Sequence, residues 1–323
     1  MMHCLKLGLR DLQEPGRLIA ADAGLSTPAA HLADGFRVVP RCSDAGFADA
    51  VERLCRDDGV GLIVPTIDTE LAVYADARQR FEAVGVRVAV SSPETVAIAA
   101  DKRVTNRWLR ENGFPAVRQV SPDEALAGES LPPWIVKPAA GSASAGVSRV
   151  DGVVELERLT PLGDGWVLEE LAPGDEHTIH TYVDRRGRCL AAVPCRRLEV
   201  RAGEVSKGVT VRDPKLIKLA AAVSERLPGA YGPLNIQCFL GAKGAAQIVE
   251  INARFGGGYP LVDRAGAPFA RWLIEEALGG QPGPAFDDWL EDLAMLRYDD
   301  AVFVPGPAIR DRRVAERGAD GAP

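Results

Sequence analysis

The chain has 323 residues, of which 46% are hydrophobic and 26% are charged, and its formal net charge is −7. This is the composition of a globular protein with about two domains, and the negative charge excludes the broad basic surfaces that hold nucleic acid or anionic membranes. Since no apolar run reaches the ~18 residues of a membrane span, no signal peptide opens the chain and the six cysteines form no C-x-x-C pair, we expect a cytoplasmic protein with reduced thiols.

The first 98 residues alternate short apolar runs with stretches that suit helices. The runs at 18–21, 36–39, 61–64 and 86–90 are typical of buried parallel strands, and residues 48–56 and 70–84 carry apolar side chains at helical spacing. This order predicts an open α/β layer of Rossmann-like type. Such a layer normally begins with a strand and a glycine-rich turn. Residues 1–16 contain neither, so the first strand is either lost or degenerate.

The remaining elements are predicted from their end signals and their periodicity. A helix begins at Ser92, and a second helix runs from Lys102 to Glu111. Strands are predicted at 134–136, 166–169, 178–183, 189–195, 234–240 and 247–253, and helices at 213–226 and 269–278. The last residues, 306–323, are charged and rich in glycine, alanine and arginine, so we expect a disordered tail.

A group of oxygen-bearing side chains follows one strand near residue 250. Because side chains alternate along a strand, Glu250, Asn252 and Arg254 share one face, and Gln237 on the preceding strand joins them if the two faces agree. Carboxylate and amide oxygens suit Mg²⁺, whose other ligands are usually substrate phosphates, and an adjacent arginine suits a phosphate oxygen. The glycines at 256–258 would let a ligand approach the backbone closely. A solvated strand face with a flexible loop explains the same residues equally well.

Several residues further upstream could hold a nucleotide. Lys137 ends an apolar strand and precedes a loop of small residues, 139–146, whose backbone N–H groups could close over phosphates, although no Walker A sequence is present. Lys102 offers a second cation at the start of a helix. The strand at 166–169 ends in acidic residues that could expose backbone groups to an adenine, and Glu176 could hold ribose hydroxyls. A surface turn, a solvated lysine and a charged strand end are the simpler interpretations.

The order of these features resembles the ATP-grasp superfamily, and is most similar to stand-alone carboxylate–amine ligases of its carbamoyl-phosphate-synthetase-like branch. The matching pieces are Asp101-Lys102, Val136-Lys137-Pro138, the loop to Gly146, Glu169-Glu170-Leu171, Gly174-Asp175-Glu176, Asn235-Ile236-Gln237 and Glu250-Ile251-Asn252-Ala253-Arg254. The resemblance implies a fold class of α/β and α+β type. A Rossmann-like pre-ATP-grasp domain at 1–98 would be followed by a two-lobed ATP-grasp fold at 99–305, with a lid subdomain at about 110–168.

The resemblance also implies a role for each matching residue. The residues that would bind ATP are Lys102, Lys137, Gly141, Ser142, Glu169, Leu171 and Glu176. Lys207, which belongs to a basic stretch with Arg196, Arg197 and Arg201, could also reach the phosphates. The ligands of two Mg²⁺ ions, for which Mn²⁺ could substitute, would be Gln237, Glu250 and Asn252. Arg254 would stabilise the transferring phosphoryl group and act with Lys137 in catalysis. The roles of Arg196, Arg197, Asp263 and Arg264 stay open.

Three functions are compatible with such a site. The first is an ATP-dependent ligase that activates a carboxylate as an acyl phosphate and couples it to an amine, releasing ADP and phosphate. Its substrates would be amino-acid-like small molecules, and relatives suggest a homodimer. The second is a phosphotransferase or carbamoyl-phosphate-forming enzyme that uses the same ATP site. The third is a non-catalytic nucleotide-binding protein.

Overall fold

The computed structural model describes residues 1–141 and 145–306. Within these ranges, none of the helices combines the length and the apolar character that crossing a membrane requires. Apart from residue 306, the tail predicted to be disordered lies outside the described residues. The domain boundaries given above stay predictions.

The amino-terminal part is an α/β layer that begins with a helix. Its helices are α1 (Met2–Asp11), α2 (Ala29–Leu32), α3 (Phe47–Asp58) and α4 (Asp68–Ala83), and its strands are β1 (Ile19–Asp22), β2 (Gly35–Val38), β3 (Leu62–Ile63) and β4 (Arg87–Val88). The strands form two parallel pairs, β1 with β2 and β3 with β4. In a doubly wound sheet the first strand lies between the second and the fourth. Within the described residues no strand precedes β1, because Met2–Asp11 form helix α1; a lost or degenerate first strand stays a prediction.

Two helices and a small sheet follow. The helices are α5 (Pro93–Ala100) and α6 (Lys102–Glu111). The sheet contains β5 (Gln119–Val120), β6 (Trp134–Pro138), β7 (Ser148–Val150) and β8 (Trp166–Glu170), in the order β5-β8-β6-β7 with antiparallel neighbours. The short helices α7 (Pro122–Leu126) and α8 (Val153–Leu159) contact each other, and Ala125 and Leu156 pack with Trp134 in a separate hydrophobic core.

The larger sheet carries most of the carboxyl-terminal half. Its strands are β9 (Asp175–Val183), β10 (Cys189–Arg201), β11 (Glu204–Thr210), β12 (Gly232–Leu240), β13 (Ala246–Asn252) and β14 (Ala294–Leu296). They lie in the antiparallel order β13-β12-β9-β10-β11-β14. The helices of this half are α9 (Pro214–Arg226), α10 (Tyr259–Arg264) and α11 (Phe269–Ala277). β13 is the edge strand of this sheet and β12 lies next to it. Both strands line a cleft that separates them from the small sheet.

Helix α1 is not predicted by the sequence pattern, because Gly8 in its middle lowers helix propensity. The structure shows why a glycine lies there. A Cβ atom on Gly8 would lie 3.1 Å from the backbone of Arg271 in α11. Cys4 and Leu5 are buried in the same hydrophobic core as α11, so the two helices stabilise each other through close packing.

Helix α5 is fixed at its start by Ser92, as the sequence predicts. The Ser92 Oγ accepts a hydrogen bond from the backbone N–H of Thr95 at 3.2 Å and donates one to the carbonyl of Pro228 at 2.5 Å. We expect Ser92→Ala to lower the free energy of unfolding by about 2 kcal/mol, because one cap and one tertiary hydrogen bond are lost. Urea denaturation measures the loss. Ser121 caps α7 without contacting a distant segment, so Ser121→Ala should cost about half as much; equal losses would contradict the tertiary role of Ser92.

Candidate active site

A cleft of about 230 Å³ lies between the small sheet and the larger sheet. The small sheet contributes Lys137 and Glu169, the larger sheet contributes Gln237 and Glu250, and Lys102 reaches in from the start of α6. Its apolar lining includes Val117, Ile135, Leu171, Ala172 and Phe239. We call this space the larger cleft. It combines apolar walls with two lysines and five oxygen-bearing side chains, which are Glu169, Glu170, Glu176, Gln237 and Glu250.

Each lysine is held in place by a protein oxygen. The Nζ of Lys102 donates to the carbonyl of Gly141 at 3.0 Å and lies 4.0 Å from Glu250 Oε1. The Nζ of Lys137 lies 2.6 Å from Glu169 Oε2, and both side chains are buried. Gln119 donates to the other oxygen of Glu169 at 3.0 Å. The two cations are thus fixed on the walls before any ligand arrives.

The predicted oxygen ligands converge on adjacent strands. Gln237 lies opposite Glu250 and Asn235 lies opposite Asn252 in the pairing of β12 with β13. The Nδ2 of Asn252 donates to Asn235 Oδ1 at 3.3 Å, which leaves the carbonyl oxygen of Asn252 free for another partner. Within the described residues, no group of three or more His, Cys, Asp or Glu side chains could hold a metal. A cation at this position would therefore use amide oxygens as well as the single carboxylate.

The carboxylate of Glu250 is unusually short of partners. Among residues 1–141 and 145–306, we find no side chain or backbone group that donates a hydrogen bond to it, and the nearest cation is Lys102 at 4.0 Å. Burial raises the pKa of Glu250, and the positive charges of Lys102 and Lys137 offset only part of that effect. A carboxylate whose side chain is only 20% exposed and that accepts no hydrogen bond from these residues is costly. A bound cation would relieve that cost, so the donor set fits Mg²⁺.

Val249 departs from the alternation that the sequence suggests. Regular alternation would place it behind the sheet together with Ile251 and Ala253. The pairing of β12 with β13 shifts register after Gln237, so that Cys238 lies opposite Ile248. Val249 is the extra residue of this irregularity and lines the larger cleft beside Glu250. Val249 therefore does not pack behind the sheet, where regular alternation would place it.

A second, smaller cleft of about 60 Å³ adjoins the first, and Gln237 and Glu250 line both. We call it the glycine cleft, because its wall includes Gly256, Gly257 and Gly258 together with Asn252 and Arg254. A Cβ atom on Gly257 would lie 1.4 Å from Glu204 Oε2. A side chain at position 257 would therefore need the space that the half-exposed carboxylate of Glu204 occupies, and Glu204 would have to move.

Three of the five N–H donors of Arg254 form hydrogen bonds within the protein. Its Nε and one Nη atom lie 2.8 and 2.6 Å from the two carboxylate oxygens of Asp68, and its other Nη atom donates to the carbonyl of Phe255 at 2.9 Å. Asp68 is the first residue of α4 in the amino-terminal layer. This contact joins residues 186 positions apart, and no local sequence pattern predicts it.

Arg197 is a site residue whose role the sequence left open. Its Nη1 lies 2.6 Å from Glu176 Oε1 and 3.3 Å from Gln237 Oε1, and its other Nη atom donates to the carbonyl of Gly203. It therefore ties the residue predicted to hold ribose to a predicted metal ligand. β10 extends to Arg201, beyond the predicted end at 195, and this extension directs Arg197 inward while Arg196 pairs with Asp175 on the surface.

Not every predicted site residue reaches a cleft. Gly141, Leu171 and Glu176 line the larger cleft, whereas Ser142 lies outside the described residues. Lys207 is half-exposed on β11, and its Nζ lies 2.6 Å from Glu199 Oε2. Because it lines neither cleft, the structure does not bring Lys207 to the candidate site.

Asp263 and Arg264, whose roles the sequence left open, also line neither cleft. Asp263 accepts a hydrogen bond from the Tyr259 hydroxyl at 2.9 Å. Arg264 ends helix α10 and is exposed. Both lie with α10, away from the oxygen set around Glu250.

Two family models match parts of the sequence. Residues 2–89 match "PylC-like, N-terminal domain", and residues 164–299 match "ATP-grasp in the biosynthetic pathway with Ter operon". A D-alanine–D-alanine ligase from Corynebacterium aurimucosum is 28% identical over 211 residues, which cover 58% of this chain and 58% of that ligase. The similarity thus spans little more than half the length of that relative.

Solved structures share the fold. The biotin carboxylase domain of 2-oxoglutarate carboxylase from Hydrogenobacter thermophilus, solved with MgADP and bicarbonate, superposes with a TM-score of 0.73 at 16% identity, covering 91% of this chain and 70% of that one. An L-amino acid ligase from Bacillus licheniformis gives a TM-score of 0.63 at 21% identity, covering 85% and 70%. These likenesses confirm the predicted fold class: an α/β layer followed by a two-lobed fold with the cleft between its sheets.

Proposed function

We propose that the chain is an ATP- and Mg²⁺-dependent ligase of the ATP-grasp type that joins a carboxylate to an amine; residues 164–299 match an ATP-grasp family model, and the chain shares its fold with a biotin carboxylase domain solved with MgADP. The observation that carries this proposal is the larger cleft itself. It places Lys102 and Lys137 on one side and the paired Gln237 and Glu250 on the other, around a space with apolar walls. Two fixed cations opposite an oxygen-rich strand pair suit a nucleotide whose phosphates carry a divalent ion.

Different residues of the two clefts would bind different parts of the nucleotide. Ile135, Leu171 and Phe239 offer apolar surface for an adenine, and Glu176 offers a carboxylate for ribose hydroxyls. Lys102 and Lys137 would hold the phosphates. Gln237, Glu250 and Asn252 would hold Mg²⁺, which when bound supplies a positive charge that neutralises the phosphates and fixes their positions.

The chemistry then follows from position and charge. A substrate carboxylate oxygen attacks the γ-phosphorus, the bond from that phosphorus to the β–γ bridging oxygen breaks, and ADP leaves. An amine attacks the carbonyl carbon of the resulting acyl phosphate, the bond between that carbon and the phosphate oxygen breaks, the nitrogen gives up one proton to the leaving phosphate, and an amide and hydrogen phosphate are released. No side-chain nucleophile is required, and the lysines with Arg254 stabilise negative charge on the transferring group. The activities after which the D-alanine–D-alanine ligase and the L-amino acid ligase are named support amino acids as the substrates.

The test is ADP release by the purified protein with MgATP and pairs of amino acids, followed by mass spectrometry of the product. We expect release to require both a carboxylate and an amine, and the product to have the mass of the pair less one water. A phosphorylated product without amide would replace the ligase by a phosphotransferase. Nucleotide binding without turnover on any pair would replace it by a non-catalytic protein. A homodimer stays a prediction, which sedimentation of the same sample measures.

A further inference from the structure

The carboxylate of Asp68 binds the edge of the Arg254 guanidinium that Nε and one Nη atom form, an edge that suits an anion. Both oxygens of Asp68 contact the guanidinium, through Nε at 2.8 Å and one Nη atom at 2.6 Å. This two-point contact is the mode in which arginine binds carboxylates and phosphates. The remaining Nη atom already donates to the Phe255 carbonyl. An incoming oxyanion therefore finds the best binding edge of Arg254 filled.

Arg254 lies where such an oxyanion would arrive. It lines the glycine cleft together with Gln237, Glu250 and Asn252, the candidate metal ligands. Gln237 and Glu250 also line the larger cleft. The terminal phosphate of a nucleotide bound in the larger cleft would therefore lie next to the glycine cleft. Both a terminal phosphoryl group and a substrate carboxylate would present oxygens to this arginine.

Asp68 is free to leave Arg254 without disturbing its own helix. The start of α4 is closed by Glu70, whose Oε1 accepts from the backbone N–H of Thr66 at 2.6 Å and of Ile67 at 3.1 Å. Within the described part of the chain, Asp68 accepts hydrogen bonds only from Arg254. Its carboxylate would remain at a helix amino terminus, which favours negative charge, after it separates from the arginine. A residue needed only for capping would show the opposite pattern.

We propose that Asp68 holds the anion position of Arg254 in the free protein and is displaced by an oxyanion at the reacting end of the nucleotide site. The proposal rests on the proposed function, because it takes the terminal phosphoryl group of ATP, or the carboxylate that attacks it, as the displacing ligand. Asp68 thereby makes the amino-terminal layer part of the site. Its negative charge also opposes binding of the anion until the pair opens.

The test compares the affinities of two nucleotides, measured by calorimetry in the presence of Mg²⁺. AMP-PNP carries a third phosphoryl group and ADP does not. For Asp68→Asn we expect affinity for AMP-PNP to rise about tenfold, since a charged competitor worth on the order of 1.4 kcal/mol is removed, while affinity for ADP changes less than about twofold. Asp68→Ser serves as a second variant, and thermal unfolding confirms that both fold.

Two controls make the result specific. Asp76 lies on the same helix, is exposed and forms no ion pair within the described residues, so Asp76→Asn makes the same charge change without touching Arg254 and should leave both affinities unchanged. In Asp68→Asn/Arg254→Gln the selective gain should disappear. A gain that persists without Arg254, or that Asp76→Asn reproduces, would overturn the proposal.

The source of the oxyanion is separated by two small probes. Inorganic phosphate and acetate are titrated separately into the MgADP complex of the wild-type and Asp68→Asn proteins. Tighter binding of phosphate in the variant identifies the phosphoryl position, and tighter binding of acetate identifies the carboxylate position. If neither probe nor AMP-PNP binds more tightly, displacement is wrong even though ADP binds. If no nucleotide binds at all, it is the ATP site of the proposed function that fails.

Discussion

Glu250→Ala is expected to reduce ADP release by about 10³-fold or more, because it removes the only carboxylate of the candidate metal site and with it several kcal/mol of charge stabilisation. Glu250 lies opposite Gln237 on the neighbouring strand and lines both clefts. Steady-state release of ADP with the best substrate pair measures the effect. Mg²⁺ titration should show that the variant has lost the metal dependence of nucleotide binding as well.

A loss of activity through unfolding is distinguished by Glu250→Gln, which keeps the shape of the side chain. Burial raises the pKa of Glu250 in the folded protein. A carboxyl group with a raised folded pKa stabilises the fold below its unfolded pKa, and that stability is lost as pH rises through the folded pKa. At neutral pH and without Mg²⁺, the charged carboxylate of Glu250 therefore lowers the stability of the folded protein. Glu250→Gln should raise the melting temperature of the metal-free protein while it abolishes turnover.

Gln247→Ala is the matched control for this strand. Gln247 lies three residues before Glu250 on β13 and lines neither cleft. Its removal should leave turnover within about twofold, as is usual for a partly exposed residue outside a site. A Glu250→Ala protein that stays folded and releases ADP at the wild-type rate would remove the carboxylate from the mechanism.

The convergence of Gln237, Glu250 and Asn252 could be predicted because two local rules suffice. Side chains alternate along a strand, and the five-residue connection 241–245 brings β12 and β13 side by side, where opposite residues lie about 5 Å apart. The shift at Val249 breaks the first rule by one residue. It follows from how the two strands pair, which the sequence of one strand does not specify.

The contact between Asp68 and Arg254 lies beyond any such rule. Its partners belong to different halves of the chain: the sequence predicts a phosphate contact for Arg254, and Asp68 resembles an ordinary surface charge. Helix α1 was missed for a related reason. Gly8 weakens it locally, and close packing against Arg271 stabilises it. Tertiary contacts override local preference at both places, and the sequence alone contains only the preference.

Breaking the buried ion pair between Lys137 and Glu169 should lower the free energy of unfolding strongly. Its atoms lie 2.6 Å apart with side chains that are 10% and 3% exposed. We expect Lys137→Met to lower the free energy of unfolding by about 3–5 kcal/mol, because Glu169 would be left as a buried charge with Gln119 as its remaining donor. Chemical denaturation measures the loss. Arg149 and Asp151 form an exposed pair on the same sheet, and Arg149→Met should cost less than about 1 kcal/mol.

The double variant Lys137→Met/Glu169→Gln separates stability from nucleotide binding. Neutralising both partners removes the unpaired charge, so most of the lost stability should return, as is found when buried ion pairs are replaced together. The phosphate contact of Lys137 would not return, and affinity for MgATP should stay about 10- to 100-fold below wild type, as expected when a charge-assisted contact of roughly 1.5–3 kcal/mol is lost. Recovery of both properties would mean that Lys137 serves the small sheet alone. Recovery of stability without recovery of affinity would mean that the charge of Lys137 contacts the phosphates in the larger cleft, which Glu250 also lines.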